Sequence, residues 1–133
     1  MKELSVEAKL ENRDAVQNFV AEELEVFGCP IKEQTKIAIA VEEVFVNIAN
    51  YAYDHPVGNI NVRISGGEEI IIDFEDNGRP YNPLKNADPD ITKSAEEREI
   101  GGLGVFMVKK IMDAVEYKHE DGKNILTIHK KIA

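Results

Sequence analysis

Apolar residues that switch from period two to a period of about 3.6 and back again mark this chain as an α+β fold. The arrangement expected is a two-layer sandwich: one mixed, mainly antiparallel sheet with about three helices on one face. Alternating runs at 2–8, 59–65, 69–75, 114–119 and 123–130 read as strands, and amphipathic runs near 12–27 and 32–53 as helices. With no internal repeat, low-complexity tract or linker, the 133 residues are expected to form a single domain.

Each element has a local cause. Leu4, Val6 and Ala8 fall on one side of the first strand, as in a half-buried strand. Asn12 offers an N-cap, the stripe Val16, Phe19, Val20, Leu24 and Phe27 follows, and Gly28-Cys29-Pro30 stops the helix. A longer helix runs from Lys32 to Tyr53. Ser65-Gly66-Gly67 joins the next two strands in a tight hairpin, the second with Ile70, Ile72 and Phe74 on one face. Residues 77–100 lose periodicity and carry Gly78, Pro80, Pro83 and Pro89; an aperiodic stretch of that length is uncommon and often a functional lid. Gly101-Gly102-Leu103-Gly104 opens a third helix, Val105 to Asp113, and the last strands pair across Glu120-Asp121-Gly122.

Composition excludes several classes. With 43% apolar and 31% charged residues the chain is too apolar to be disordered. A net charge of −9 opposes nucleic acid and anionic membrane, both of which bind through Lys and Arg. It also limits how phosphate could be held, leaving backbone N–H groups and a divalent metal to carry most of the charge. The one cysteine, Cys29, excludes an internal disulfide. No apolar run reaches membrane-spanning length and Met1-Lys2-Glu3 opens no signal-type stretch, so the expected location is the cytoplasm.

Three features bear chemistry. On a wheel of about 100° per residue, Ile37, Val41, Val44, Phe45, Ile48 and Ala52 cluster on one side of the long helix and Glu43, Asn47 and Asn50 on the other. A solvated face would look the same, but asparagine is a mediocre helix former and two stand beside Glu43. A carboxylate one turn from an amide oxygen suits a base beside a Mg²⁺ ligand. Asp76-Asn77-Gly78-Arg79-Pro80 follows a buried strand; it reads either as a plain turn or as a strand-end carboxylate that accepts from an exocyclic amine, with Gly78 leaving room for the base. Gly101, Gly102 and Gly104 at a helix start can hold an anion on backbone N–H groups without a lysine. The loop is neither a Walker loop nor a dinucleotide fingerprint.

Taken in this order, Glu-x-x-x-Asn on a helix, a strand-end Asp-x-Gly, a long loop and a Gly-x-Gly at a helix start resemble the nucleotide-binding fold of gyrase, heat-shock chaperones, sensor histidine kinases and mismatch-repair ATPases. Within that group, nearly the whole chain is similar to the bacterial anti-sigma-factor serine kinases. The resemblance implies ATP and Mg²⁺ as ligands, Glu43 as general base, and Asn47 as the metal ligand with Asn50 nearby. It places adenine on Asp76 and Gly78, and phosphate on Gly101, Gly102, Leu103 and Gly104. Pro80 stands where several members carry glycine, and Ile100 where some carry an arginine that precedes the glycines; Arg98 or Lys93 would then be left to reach the γ-phosphate. No phosphoacceptor-histidine helix stands before the domain, so a complete sensor histidine kinase is not expected, and His55, His119 and His129 share no metal-ligand spacing.

What the resemblance implies is an ATP-dependent serine/threonine protein kinase that phosphorylates a small antagonist protein, holds a sigma factor through another surface and forms a homodimer. A nucleotide-gated binding module without transfer, or a structural domain whose motifs are plain turns, would share these residues. The stretch 81–100 is expected to act as a lid ordered by the γ-phosphate. Amide exchange in ATP against ADP should then show added protection between Tyr81 and Ile100, and equal protection throughout would remove the γ-phosphate from its control.

Overall fold

The computed structural model describes residues 1–51, 58–80, 82 and 102–132. Strands β1 (Lys2–Glu7), β2 (Asn59–Ser65), β3 (Glu69–Asp76), β4 (Ala114–Glu120) and β5 (Lys123–Lys131) form one sheet in the order β1-β2-β3-β5-β4. Every ladder is antiparallel, so the expected mainly antiparallel sheet has no parallel pair among the described residues. Helices α1 (Arg13–Val26), α2 (Ile31–Tyr51) and α3 (Gly102–Ile111) complete the chain, with α2 packed between α1 and α3.

Strand alternation builds the core. Ile60, Val62 and Ile64 of β2, Ile70, Ile72 and Phe74 of β3, and Leu126 and Ile128 of β5 all point to the helix side and are buried. Val16, Val20 and Leu24 of α1, Ile37, Val41, Val44, Phe45 and Ile48 of α2, and Val108 of α3 meet them. Cys29 lies in this cluster, and burial pushes its thiol above the ordinary value.

The helix boundaries have specific causes. Asn12 does not cap α1 as expected: its backbone is not extended, and its Nδ2 donates to the Glu7 carbonyl at 2.9 Å, closing the turn out of β1. The other end of α1 is a Schellman closure, with Cys29 N–H donating to Leu24 O at 2.9 Å and Gly28 N–H to Glu25 O at 3.1 Å; Gly28 takes φ +72° there. The β4–β5 hairpin turns through Asp121 (φ 53°) and Gly122 (φ 75°), two successive positive φ values of a type I′ turn.

The face of the sheet away from the helices is polar. Arg63 lies 3.0 Å from Glu3 of β1 and 3.0 Å from Glu75 of β3, and Lys123 of β5 lies 3.6 Å from the same glutamate. The Arg63 guanidinium hydrogen bond is the largest influence holding the Glu75 carboxyl below its ordinary value.

The β2–β3 turn is pressed against the end of α1. A Cβ at Gly66 would stand 2.5 Å from Cγ of Phe27, at the root of the ring, where the side chain has little freedom to swing away. Gly66→Ala should therefore destabilise the fold by about 1–3 kcal/mol, the usual cost of overpacking. Gly67, with nothing within 4 Å, should tolerate alanine better. Urea unfolding of the two variants checks this, and equal midpoints would contradict it.

Candidate functional site

Burial of its apolar stripe fixes the rotation of α2, and that rotation decides where the polar residues go. Ala38 and Glu42 face α1: Gln17 Nε2 donates to Ala38 O at 2.9 Å, and Arg13 lies 3.4 Å from Glu42. Glu43 and Asn47 lie along the opposite flank, by helical geometry about 100° or more from Glu42. Asn47 is 5% exposed, so it is not part of a solvated face as the wheel suggests; Glu43 is half-buried and Asn50 exposed. Burial raises the Glu43 carboxyl above its ordinary value, and the neighbouring Glu42 adds to the shift. Of the two adjacent glutamates, one is held by an arginine of α1, and the other meets no cation among the described residues.

Asp76 ends β3. It falls on the core side after Ile70, Ile72 and Phe74, and is 5% exposed. Gly78 N–H donates to its Oδ1 at 2.9 Å, an Asx turn that bends the chain out of the strand. Asn124 Nδ2, from the residue directly opposite in β5, donates to the same oxygen at 3.0 Å. Among the described residues no hydrogen bond to Oδ2 is recorded. Burial raises the Asp76 carboxyl; the Asn124 and Gly78 hydrogen bonds oppose the rise, Glu75 adds to it and His119 opposes it.

Asn124 was not legible as a site residue in the strand pattern alone. It is 5% exposed, its Nδ2 also donates to Arg79 O at 2.9 Å, and its Oδ1 accepts from the Tyr117 hydroxyl. A signal was present: Asn124, Leu126 and Ile128 share a parity, so an amide stands where the alternation demands an apolar residue.

The third feature is described in part. Gly102, Leu103 and Gly104 form the first turn of α3, which starts earlier than the glycine pattern suggests, and Gly101 lies outside the described residues. First-turn N–H groups have no intrahelical partner and point along the positive end of the helix dipole; Lys109 and Lys110 sit in the last turn, at its negative end. The expected lid at 81–100 lies outside the described residues apart from Asn82, as do Lys93 and Arg98. Among the described residues no group of three histidine, cysteine or acidic side chains could hold a metal unaided, and no helix is long and apolar enough to cross a membrane.

Comparison with known proteins gives a consistent result. A model of the histidine kinase-like ATPase domain matches residues 6–130. The serine-protein kinase RsbW of Bacillus mycoides is 27% identical over 93% of this chain and 81% of its own length. The serine/threonine-protein kinase BtrW of Bordetella bronchiseptica is 27% identical over 69% of this chain and 66% of its own. Among solved structures, the RsbU and RsbW domains of a Mycobacterium tuberculosis protein superpose with TM-score 0.66 at 14% identity, covering 99% of this chain and 33% of that one. The SiaB-SiaC complex of Pseudomonas aeruginosa follows with TM-score 0.56 at 12% identity, covering 96% and 88%.

A carboxylate whose folded value is raised lowers fold stability once the pH passes above its ordinary range, because ionisation is then disfavoured by folding. Asp76→Asn removes that cost while its amide oxygen can still accept from Gly78 and Asn124. The nucleotide-free variant should melt at the same temperature or higher, whereas ATP affinity should fall by about tenfold or more, the loss of a charged acceptor. Thermal melts and titration with a fluorescent ATP analogue check the pair, and unchanged affinity would take Asp76 out of the site.

Proposed function

We propose, because the chain belongs to the histidine kinase-like ATPase domain family, that it is an ATP-dependent serine/threonine protein kinase acting as an anti-sigma regulatory factor. Its substrate would be a small antagonist protein. The names of its relatives support kinase activity, and the observation that carries ATP binding is Asp76: a buried carboxylate with one oxygen held by two donors and the other available to an exocyclic amine.

In this reading adenine meets Asp76 Oδ2, with the backbone at Gly78 close to the base. The phosphates lie at the start of α3, on the N–H groups of Gly101, Gly102, Leu103 and Gly104. Asn47 supplies an amide oxygen to Mg²⁺, and Asn50 borders the same end of α2. A lone protein oxygen fits a cation that keeps several waters and takes its other ligands from phosphate. When bound, Mg²⁺ would neutralise phosphate charge.

Glu43 takes the proton of the substrate hydroxyl as that oxygen bonds to the γ-phosphorus and the bond to the β-phosphate oxygen breaks, releasing ADP. Its raised carboxyl brings it nearer the operating pH of a base. Glu42, directed to Arg13, is not placed for that role. A sigma factor and a second copy of this chain are the further partners of this reading.

Glu43→Gln keeps size and hydrogen bonding but cannot take a proton. Single-turnover transfer from labelled ATP to a cognate antagonist should fall by roughly 10²–10⁴, with little change in nucleotide affinity. Glu42→Gln should do far less, and Asn47→Ala should weaken Mg-nucleotide binding and transfer together. Full transfer by Glu43→Gln would remove the catalytic role and leave a nucleotide-gated binding module.

A further inference from the structure

We propose that Asn124, held by Tyr117, is a positioning residue that keeps Asp76 a hydrogen-bond acceptor and so selects a 6-amino purine over a 6-keto purine. The inference rests on the nucleotide site proposed above.

The orientation of the Asn124 amide is fixed by what surrounds it. One end faces three acceptors: Asp76 Oδ1 at 3.0 Å, Arg79 O at 2.9 Å and Gly78 O at 3.4 Å. Only the NH₂ end can face them, since a flipped amide would set oxygen against oxygen three times. Its carbonyl end therefore points to the Tyr117 hydroxyl, which must donate. Tyr117 and Asn124 lie on adjacent strands, and both point to the helix side, so the β4–β5 ladder holds the pair together.

Two consequences follow for Asp76. Its Oδ1 already receives Asn124 Nδ2 and Gly78 N–H, so Oδ2 is left to the ligand. Ionised, Oδ2 only accepts, which suits an amino group and repels a keto oxygen. Protonated, it can donate to a keto oxygen, and discrimination narrows. The Asn124 bond favours the ionised form. Of the charged groups around it, Glu75 beside it on β3 disfavours ionisation and His119 on β4 favours it; the β5 contact is the neutral Asn124. Removing the Asn124 donor moves Asp76 further up, so on acidification the acceptor is lost at a higher pH.

The test is calorimetric titration of the folded chain with Mg-ATP and Mg-GTP from about pH 5 to about pH 8, the range over which a raised carboxyl titrates. Protonation of the nucleotide is common to all variants and cancels between them. Asn124→Ala should weaken ATP about tenfold at neutral pH, move the acid limb of ATP binding upward and lower the ATP-to-GTP preference. Tyr117→Phe, which removes the donor to the amide oxygen, should shift limb and preference the same way by less. Equal weakening of both nucleotides, with acid limb and preference unmoved in both variants, would show a merely structural role and overturn the inference. Should Asn124→Ala fail to fold, Tyr117→Phe decides on the same two readouts. Failure of the unaltered chain to bind either nucleotide would overturn the site itself, and this inference with it.

Discussion

A carboxylate buried at the end of a strand costs several kcal/mol unless hydrogen bonds replace its water, and the described structure is arranged so that Asp76 obtains them. One donor is local: the chain turns at once, and Gly78 N–H folds back onto it. The other comes from 48 residues further along, and arrives only if β5 pairs with β3 in the register that sets Asn124 opposite Asp76. A slip of one residue would turn Asn124 to the open face and leave Asp76 with half its donors. That register is held by the inward row Ile70, Ile72 and Phe74 against Leu126 and Ile128. Core packing and the polar end of the site are thus one constraint.

Two adjacent acidic pairs follow the same logic. Glu42 and Glu43 are neighbours on a helix, Glu75 and Asp76 on a strand. In each pair one carboxylate meets an arginine, Arg13 or Arg63, and joins elements together. The other is directed to the opposite side, forms no ion pair with a lysine or arginine among the described residues, and its carboxyl is raised by burial. Geometry sorts them: on a strand, successive side chains alternate faces, and on a helix they diverge by about 100°. Neighbours in sequence therefore face different ways, one into the frame and one away from it.

This sorting also explains what the sequence could disclose. Strands, helices and hairpins were legible because each has a local cause: the alternation of β2 and β3, the stripe of α1, Gly28 and the Asp121-Gly122 turn. Asp76, Gly78, Glu43 and Asn47 were legible as a spacing pattern. Three placements were not. Asn12 reads as a cap because its type favours caps, yet the path of β1 into α1 draws its amide to Glu7. Asn47 reads as solvated on a wheel of an isolated helix, while in the fold it is buried on the flank away from α1. Asn124 acts through a partner distant in sequence, and only strand register reveals which residue that is. Each miss depends on tertiary placement, which periodicity does not contain.

The charge balance bears on how anionic phosphate is to be held. With a net charge of −9, cations are scarce, and many of those in the described residues already meet carboxylates. Arg63 bridges Glu3 and Glu75, Arg13 meets Glu42, and Lys130, 11% exposed, lies between Glu33 at 3.5 Å and Asp113 at 3.7 Å. The last of these ties the first turn of α2 to β5 and to the turn after α3, at the end of the domain away from Asp76. Cations placed in this way reinforce the frame, and in the proposed reading phosphate is left to backbone dipoles and to a divalent metal. Backbone N–H groups favour any anion alike, and the metal any phosphate chain, so neither can tell one nucleotide from another. In that reading discrimination falls to the base end, where Asn124 keeps a single oxygen of Asp76 an acceptor.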